Sequence, residues 1–465
     1  MDRRRFLWAG AALAGWGTAA HAEPLPLRQA AMEAWLYCLP LIEMAVTRGK
    51  ALEPRPGGGG PVANAFNHIR NLAGPGSRAV TTPNVDTLYS NAWLDLQGAP
   101  VTVTIPPTGD RYFSLALMDM YSNNFMVLGT RTLGNEGASF TISGPLSAAA
   151  LGAIRAPTPW VWALGRTLVD GPDDLEAARA VQDGLRLASR AGRTPIIGPT
   201  RDAPWNEYFA RAQDLLRENP PPATDLGFFR RIVAVQLGAY GGFERARFTE
   251  AEIGEIAAGV EDAKALLLAR RSTEVIDGWT YPPTELGDFG QNYRLRAATA
   301  LGGLAALPTE EAMYMRAISP AGTPVFDGPG RWSLRIPKDM PVDGFWSLTM
   351  YEATPEGQYF LTSNVLARYA IGDRTPGLVR NADGSADIWI SRSDPGGTKT
   401  ANWLPAPIAG PFSLTLRVYL PKPELRSGRW RLPPLQSTGA LGPAPAPAPT
   451  PAPATPTPRR RRRRR

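Results

Sequence analysis

The stretch Gly344–Pro423 decides the fold: GFWSLTMYEATPEGQYFLTSNVLARYAIGDRTPGLVRNADGSADIWISRSDPGGTKTANWLPAPIAGPFSLTLRVYLPKP. Its last segment alternates without a break. Phe412, Leu414, Leu416, Val418 and Leu420 fall on one side, and Ser413, Thr415, Arg417 and Tyr419 on the other. A period of two predicts a half-buried strand, apolar inward and polar outward. Trp346, Leu348 and Met350 repeat the pattern near the start. Asn381–Gly384 and Asp394–Gly397 are turn signals on either side of Ile388-Trp389-Ile390. Short strands punctuated this way, with no helical period, predict an antiparallel sandwich.

An echo of this segment lies upstream. IPPTGDRYFSLALMDMY starts at Ile105 and IPKDMPVDGFWSLTMYE at Ile336. Each follows an alternating strand, VTVTI or WSLRI, and each places an aromatic-Ser-Leu strand shortly after Ile-Pro. This reads as two related β units, through duplication or through chance likeness of two hairpins. Between them the period is helical. Asp173 and Asp174 cap a helix carrying Leu175, Ala178, Val181 and Leu185. Further helices are expected at Asn206–Glu218, around Leu226, Phe229, Val233 and Leu237, at Glu250–Arg271 and at Gln291–Leu307. A short one is expected from Thr309. Leu27–Lys50 is a helix that Pro40 is expected to kink or break. The fold class is therefore α+β, mainly β: two antiparallel sandwich or jelly-roll-like units with a helical middle. Expected boundaries are 23–170, 171–315 and 316–434.

The segments RYAIGDRTPGL, NADGS, NWLPAP and FSLTLRVYLPKP resemble the domain of unknown function 1214. Upstream, TTPNVDTLYSNAWLDL resembles its usual partner, the domain of unknown function 1254, and Asn64-x-Phe66-x-His68 is similar to the same family. Together the resemblances span about Leu27 to Pro434. They imply this domain pair and assign no reaction, substrate or residue role.

Both ends of the chain are of a different kind. Arg3-Arg4-Arg5-Phe6-Leu7, the apolar run Trp8–Ala20 and Ala20-His21-Ala22 predict a twin-arginine signal over residues 1–22, hence a periplasmic or secreted protein with no membrane span in its mature chain. Residues 435–465 close with a Pro/Ala-rich linker and seven arginines, expected to be disordered. Net charge is +8, of which Arg459–Arg465 supply +7 and Asp2–Arg5 a further +2, leaving the body at −1. A near-neutral body has no general pull toward nucleic acid, whereas the arginine tail suits an anionic envelope surface.

Chemistry must come from few residue types. Cys38 is the one cysteine, and His68 the one histidine outside the signal. That composition leaves little for metal or thiol chemistry, and no cofactor is expected. No phosphate loop, nucleophile elbow or dinucleotide fingerprint is present. The upstream unit concentrates carboxylates, tyrosines and amides. Asp86 and Asp119 are candidate acid–base residues, suited to a glycosidase pair if they share a cleft, and His68 is a candidate base. Asn84, Tyr89, Tyr121 and Arg131 are candidates to bind substrate. The competing reading makes Asn84 and Asp86 a turn after Pro83, Asp119 a strand-end cap and His68 a packed residue. Downstream, Arg368, Tyr369, Asp373, Arg374, Asn402 and Trp403 read as loop-pinning scaffold rather than a pocket wall. The expected partner is a small glycan or lipid-like ligand. An enzyme of unassigned reaction and a non-catalytic envelope-binding protein both fit.

Overall fold

Phe412–Tyr419 is a strand, as its alternation predicts, but all eight of its positions are buried. Its polar side does not face water. It faces a second sheet, and the whole architecture follows from that. The computed structural model describes residues 23–54, 60–147, 151–195, 198, 200–238, 241–269, 274–326 and 330–440. The expected signal, most of the Gly57–Gly60 loop and the arginine tail lie outside them.

The main strands of the first unit are β1 (Thr87–Asp95), β2 (Val101–Ile105), β3 (Phe113–Met118), β4 (Asn124–Gly129), β5 (Ala138–Ser143), β6 (Ile154–Arg155), β7 (Trp160–Leu168) and β8 (Arg186–Ala188). An inner sheet runs β1-β7-β3-β4, extended at its β1 edge by Asn67–Ile69. An outer sheet runs β6-β5-β2-β8. Eight strands of the second unit match them: β9 (Ala312–Ala317), β10 (Gly330–Ile336), β11 (Trp346–Ala353), β12 (Ala370–Gly372), β13 (Ala386–Ser391), β14 (Trp403–Pro405), β15 (Phe412–Tyr419) and β16 (Gln436–Ala440). Its inner sheet follows β9-β15-β11, with β12 on β11, and is extended by Trp279–Thr280 and Val275–Ile276 beyond β9 and by Tyr359–Phe360 on β11; its outer sheet is β14-β13-β10-β16. Each strand of the first unit thus has its equivalent eight strands later. Even the exceptions agree: β5/β6 and β13/β14 are parallel, while every other pair among these sixteen strands is antiparallel. The Ile-Pro echo marks the same crossing, from outer to inner sheet, in both units.

Each unit closes its own core between inner and outer sheets. Leu94, Val103, Leu115, Leu117 and Ala163 fill the first, and Leu334, Leu348, Ile388, Leu414 and Leu416 the second. The outward face of the first inner sheet is covered twice. At one end Trp93, Met118, Trp160 and Trp162 pack under helices, chiefly α1 (Leu27–Ala51). At the other, Tyr112, Ala116 and Leu168 meet Ala312, Phe345 and Tyr419 of the second unit. Double coverage explains why β7 is buried at all nine positions.

The longer helices after α1, among the described residues, are α2 (Leu175–Gly184), α3 (Trp205–Glu218), α4 (Glu250–Leu268) and α5 (Tyr293–Gly302). Thr249 caps α4 through a box with Glu252, its hydroxyl accepting from Glu252 N at 3.3 Å. Several expectations need correction. α1 runs through Pro40 unbroken, because that residue is buried against neighbouring elements whose packing offsets one lost backbone bond. The helix expected from Leu226 stops at Arg231, and Gln236 then takes a left-handed φ of 61°. Thr309 starts no helix: a turn leads straight into β9, because Ala312, Met313 and Met315 are needed in the sheet. The first unit accordingly runs past residue 170 to β8, and the second opens at Ala312, before residue 316, and runs past 434 to β16, whose pairing with β10 orders Gln436–Ala440 within the stretch expected to be disordered. α1 is long and apolar enough to cross a membrane, but 72% of its most apolar window is buried within the protein.

Candidate functional site

Where the two inner sheets face one another, each presents the same row of side chains. In the first, Tyr89, Arg166 and Ser114 stand side by side on β1, β7 and β3. In the second, Tyr314, Arg417 and Ser347 do so on β9, β15 and β11. The period of two turns both rows away from their own cores. A glycine lies opposite each serine, Gly129 beside Ser114 and Gly372 beside Ser347. An acid precedes each tyrosine by three residues, in Asp86-Thr-Leu-Tyr89 and Glu311-Ala-Met-Tyr314.

The acids are used differently. Asp86 crosses to the second unit, where Ser347 Oγ donates to its Oδ2 at 2.7 Å. Its loop is strapped to the same sheet. Tyr351 donates to the Pro83 carbonyl at 2.8 Å, Arg417 Nη2 to the Thr82 carbonyl at 3.0 Å, and Asn84 Nδ2 to the Tyr419 hydroxyl at 2.6 Å. Asn84 Oδ1 accepts from Asp86 N at 2.5 Å, so the expected turn after Pro83 and a position in the cluster are both real. Burial pushes the Asp86 carboxyl above the usual range, against the pull of Arg417 and of the Ser347 hydroxyl. Asp86, Asn84, Tyr89 and Tyr314 are each half-buried.

Glu311, in contrast, is fully buried. It accepts from the Tyr112 hydroxyl at 2.8 Å and from Arg131 Nε at 2.7 Å. Beyond Arg131 lies a surface groove of about 700 Å³ lined by Thr130, Glu310, Asp343, Lys422 and Arg426 among others. Arg166 donates through Nη2 to the Ala305 carbonyl at 2.9 Å, and its guanidinium carbon lies 5.6 Å from the Tyr89 ring centre.

Of the residues singled out from the sequence, Asn84, Asp86 and Tyr89 come together here, and Arg131 reaches the cluster through Glu311. Asp119 and Tyr121 do not. Asp86 follows the register to Val169, and Asp119 comes just after the Met118–Trp162 pair, at the other end of β7. Seven residues of strand separate them, about 20–25 Å. The shared cleft expected of Asp86 and Asp119 is therefore not what the chain builds, since paired carboxylates act at about 5–10 Å. Asp119 caps its own turn, accepting from Tyr121 N and Asn123 N at 2.9 Å each, and burial pushes it up to about 6. Tyr121 donates to the Asn219 carbonyl at 2.7 Å, beneath the helices. His68 pairs with Ser90, whose side chain points opposite to Tyr89, so it lies on the other face of the sheet. There its Nδ1 is 2.8 Å from Ser90 Oγ and its ring stacks on Phe66, with burial and Arg70 pulling the imidazole down.

The downstream group behaves as scaffold. Arg368 donates to the Ala401 and Trp403 carbonyls at 2.9 Å, Trp403 Nε1 to the Ser391 carbonyl at 2.9 Å, and Arg374 pairs with Asp170 across the units at 2.8 Å. Among the described residues no three His, Cys, Asp or Glu side chains stand close enough to hold a metal. Sequence reasoning missed Arg166, Arg417, Ser114, Ser347, Tyr314 and Tyr419. The aromatic-Ser-Leu echo already carried the two serines.

The sequence matches two family profiles, each described as protein of unknown function: DUF1254 over residues 63–189 and DUF1214 over residues 311–423. Each match spans one β unit, short of β16. No curated protein matches the sequence. The crystal structure of the VPA0106 protein from Vibrio parahaemolyticus is similar in fold, with a TM-score of 0.69 at 22% identity over 89% of this chain and 100% of that one. An uncharacterised protein from Burkholderia cenocepacia aligns at a TM-score of 0.43 and 13% identity over 87% of each chain.

Proposed function

Since the chain belongs to the family that joins a DUF1254 domain to a DUF1214 domain, we propose that its half-buried polar rows line a recess between the inner sheets, which binds a small hydroxylated ligand with Asp86 as the acid–base group. One observation carries this reading. Asp86 is a partly accessible carboxyl whose proton affinity burial raises, fixed by Ser347 and set among tyrosine, asparagine and arginine side chains. A carboxyl whose proton affinity is raised and whose position is fixed is suited to proton transfer. Tyr89, Tyr314 and Asn84 offer the hydrogen bonds and ring faces that hydroxyl-rich ligands use. The ligand class is carbohydrate or lipid-like envelope material. Export belongs to the same proposal and is supported by the Arg3–Leu7 and Ala20–Ala22 patterns.

The test incubates full-length protein with fractionated envelope glycans and lipids and follows consumption by mass spectrometry. Asp86→Asn is expected to abolish turnover and Ser347→Ala to reduce it about tenfold, the worth of one hydrogen bond to a charged group. Asp119→Asn serves as the control and keeps activity. Full turnover by a folded Asp86→Asn protein would rule out the assignment.

A further inference from the structure

The second unit shows what a Tyr–Arg–Ser row accepts. Beside Arg417 and Ser347 stands a carboxylate, that of Asp86, accepting a hydrogen bond from the serine hydroxyl. Both Arg417 terminal nitrogens are also engaged, Nη1 with Thr349 Oγ1 at 2.8 Å and Nη2 with the Thr82 carbonyl at 3.0 Å. The first unit has the same row but not the same arrangement. Its corresponding acid, Glu311, is turned to Tyr112 and Arg131. Arg166 is 5% exposed, and its Nη1 has no hydrogen-bond partner. Ser114, its neighbour across the strand, is fully buried, and its Oγ makes no hydrogen bond of normal geometry; the nearby Tyr112 hydroxyl is directed at Glu311. The groups around Arg166 are Tyr89, Tyr314, Tyr419 and Tyr112. Burial keeps Tyr112, Tyr314 and Tyr419 protonated, so they offer dipoles rather than countercharge.

A buried guanidinium with a free N–H and, among the described residues, no carboxylate within ion-pair distance is costly unless something supplies the anion. Its equivalent on the facing sheet has one. We propose that Arg166 and Ser114 form a subsite for a single oxyanion, a carboxylate or phosphate carried by the ligand of the inter-sheet recess. Arg166 Nη1 and Ser114 Oγ each donate one hydrogen bond to it, and Tyr89 and Tyr314 flank the ligand's body. The inference rests on the recess being the ligand site. It adds that the ligand is an acid, oriented with its anionic group in the first unit and its hydroxylated part toward Asp86.

Three probes with one body test it: 4-bromobenzoate, 4-bromophenyl phosphate and the neutral 4-bromobenzyl alcohol, soaked into crystals of the full chain and titrated calorimetrically. Anomalous bromine density in the recess, with the carboxylate or phosphate within hydrogen-bond distance of Arg166 Nη1, is the expected result; the tighter anion identifies the headgroup. Arg166→Gln should weaken that anion about ten- to a hundredfold and leave the alcohol unchanged. If that variant does not fold, Arg166→Lys replaces it, and the wild-type soak decides alone. Anions bound only at the surface, or affinity unchanged in a folded Arg166 variant, would overturn the subsite. Equal binding of the alcohol overturns it too but leaves the recess as ligand site. Exclusion of all three from the recess would sink both.

Discussion

Replacing Asp119 by asparagine removes a carboxyl that burial pushes up to about 6, from an ordinary aspartate value near 3.9. The sign follows from linkage. Between about pH 4 and pH 6 the folded protein still holds a proton that the unfolded chain has released, so stability falls as pH rises through that window. Two units at about 1.4 kcal/mol each make the loss about 3 kcal/mol, and the group is 4% exposed, so solvent screening takes little from it. Asparagine keeps the acceptor that Tyr121 N and Asn123 N use at 2.9 Å. It puts an amide where Oδ2 accepted from Asn123 Nδ2 at 3.1 Å, which costs about 1 kcal/mol. Asp119→Asn is therefore expected to be about 1 kcal/mol less stable than wild type at pH 4 and about 2 kcal/mol more stable at pH 7.5. Urea unfolding at half-unit pH intervals measures both curves. If they run parallel from pH 4 to 7.5, Asp119 is not the buried, proton-holding cap described here.

The other expectations are briefer. Gly129→Ala and Gly372→Ala should each cost about 2–3 kcal/mol in thermal unfolding, because the added carbon meets the Phe113 carbonyl in one and the Trp346 carbonyl in the other; a neutral outcome at both would mean the strands are less close than the register requires. Arg131→Ala takes the guanidinium from buried Glu311 and should destabilise by about 2 kcal/mol, with Glu311→Gln in the same background restoring part of the loss. Deleting residues 442–465 is expected to leave folding intact and abolish salt-sensitive binding to anionic vesicles, at about 1 kcal/mol per arginine near the surface; undiminished binding at low salt would place the contact elsewhere. Changing Arg3 and Arg4 to lysine should leave precursor in the cytoplasm, and unimpaired export in a fractionation assay would exclude the twin-arginine route.

The strands were legible because period-two alternation is local, and the two-unit plan because the echo repeats at the same outer-to-inner crossing. What the polar side of those strands faces was not legible. Ser413, Thr415, Arg417 and Tyr419 read as a solvent face, since in one strand polar-out and polar-toward-another-sheet are the same pattern. Only the docking of the units turns that face inward. Asp86 and Asp119 looked paired because they are near in sequence, yet β1 and β3 approach β7 from opposite sides and deliver the two acids to its opposite ends. His68 failed to join them for a simpler reason: its partner Ser90 is one residue from Tyr89, and one residue in a strand changes the face. The acid-x-x-Tyr spacing at 86–89 and 311–314 was readable all along, but it is four residues long and gains meaning only from the rows it introduces.

Two units of one plan that meet face to face would present equal half-sites if their facing rows were identical, and a symmetric site binds symmetric ligands or none well. Here the halves differ at specific places. Phe345 stands where the first unit has Tyr112, and Leu168 where the second has Tyr419. The first difference gives Glu311 a tyrosine hydroxyl to accept from, with Arg131 completing the pair, which removes that acid from the row. The second gives Asn84 a hydroxyl to grip and so fixes the loop that delivers Asp86. Two aromatic-for-aliphatic or phenol-for-phenyl changes thus leave one half carrying the carboxylate and the other carrying a guanidinium without one. The ligand proposed above, with distinct ends, requires that polarity between the facing rows, and neither unit could create it alone.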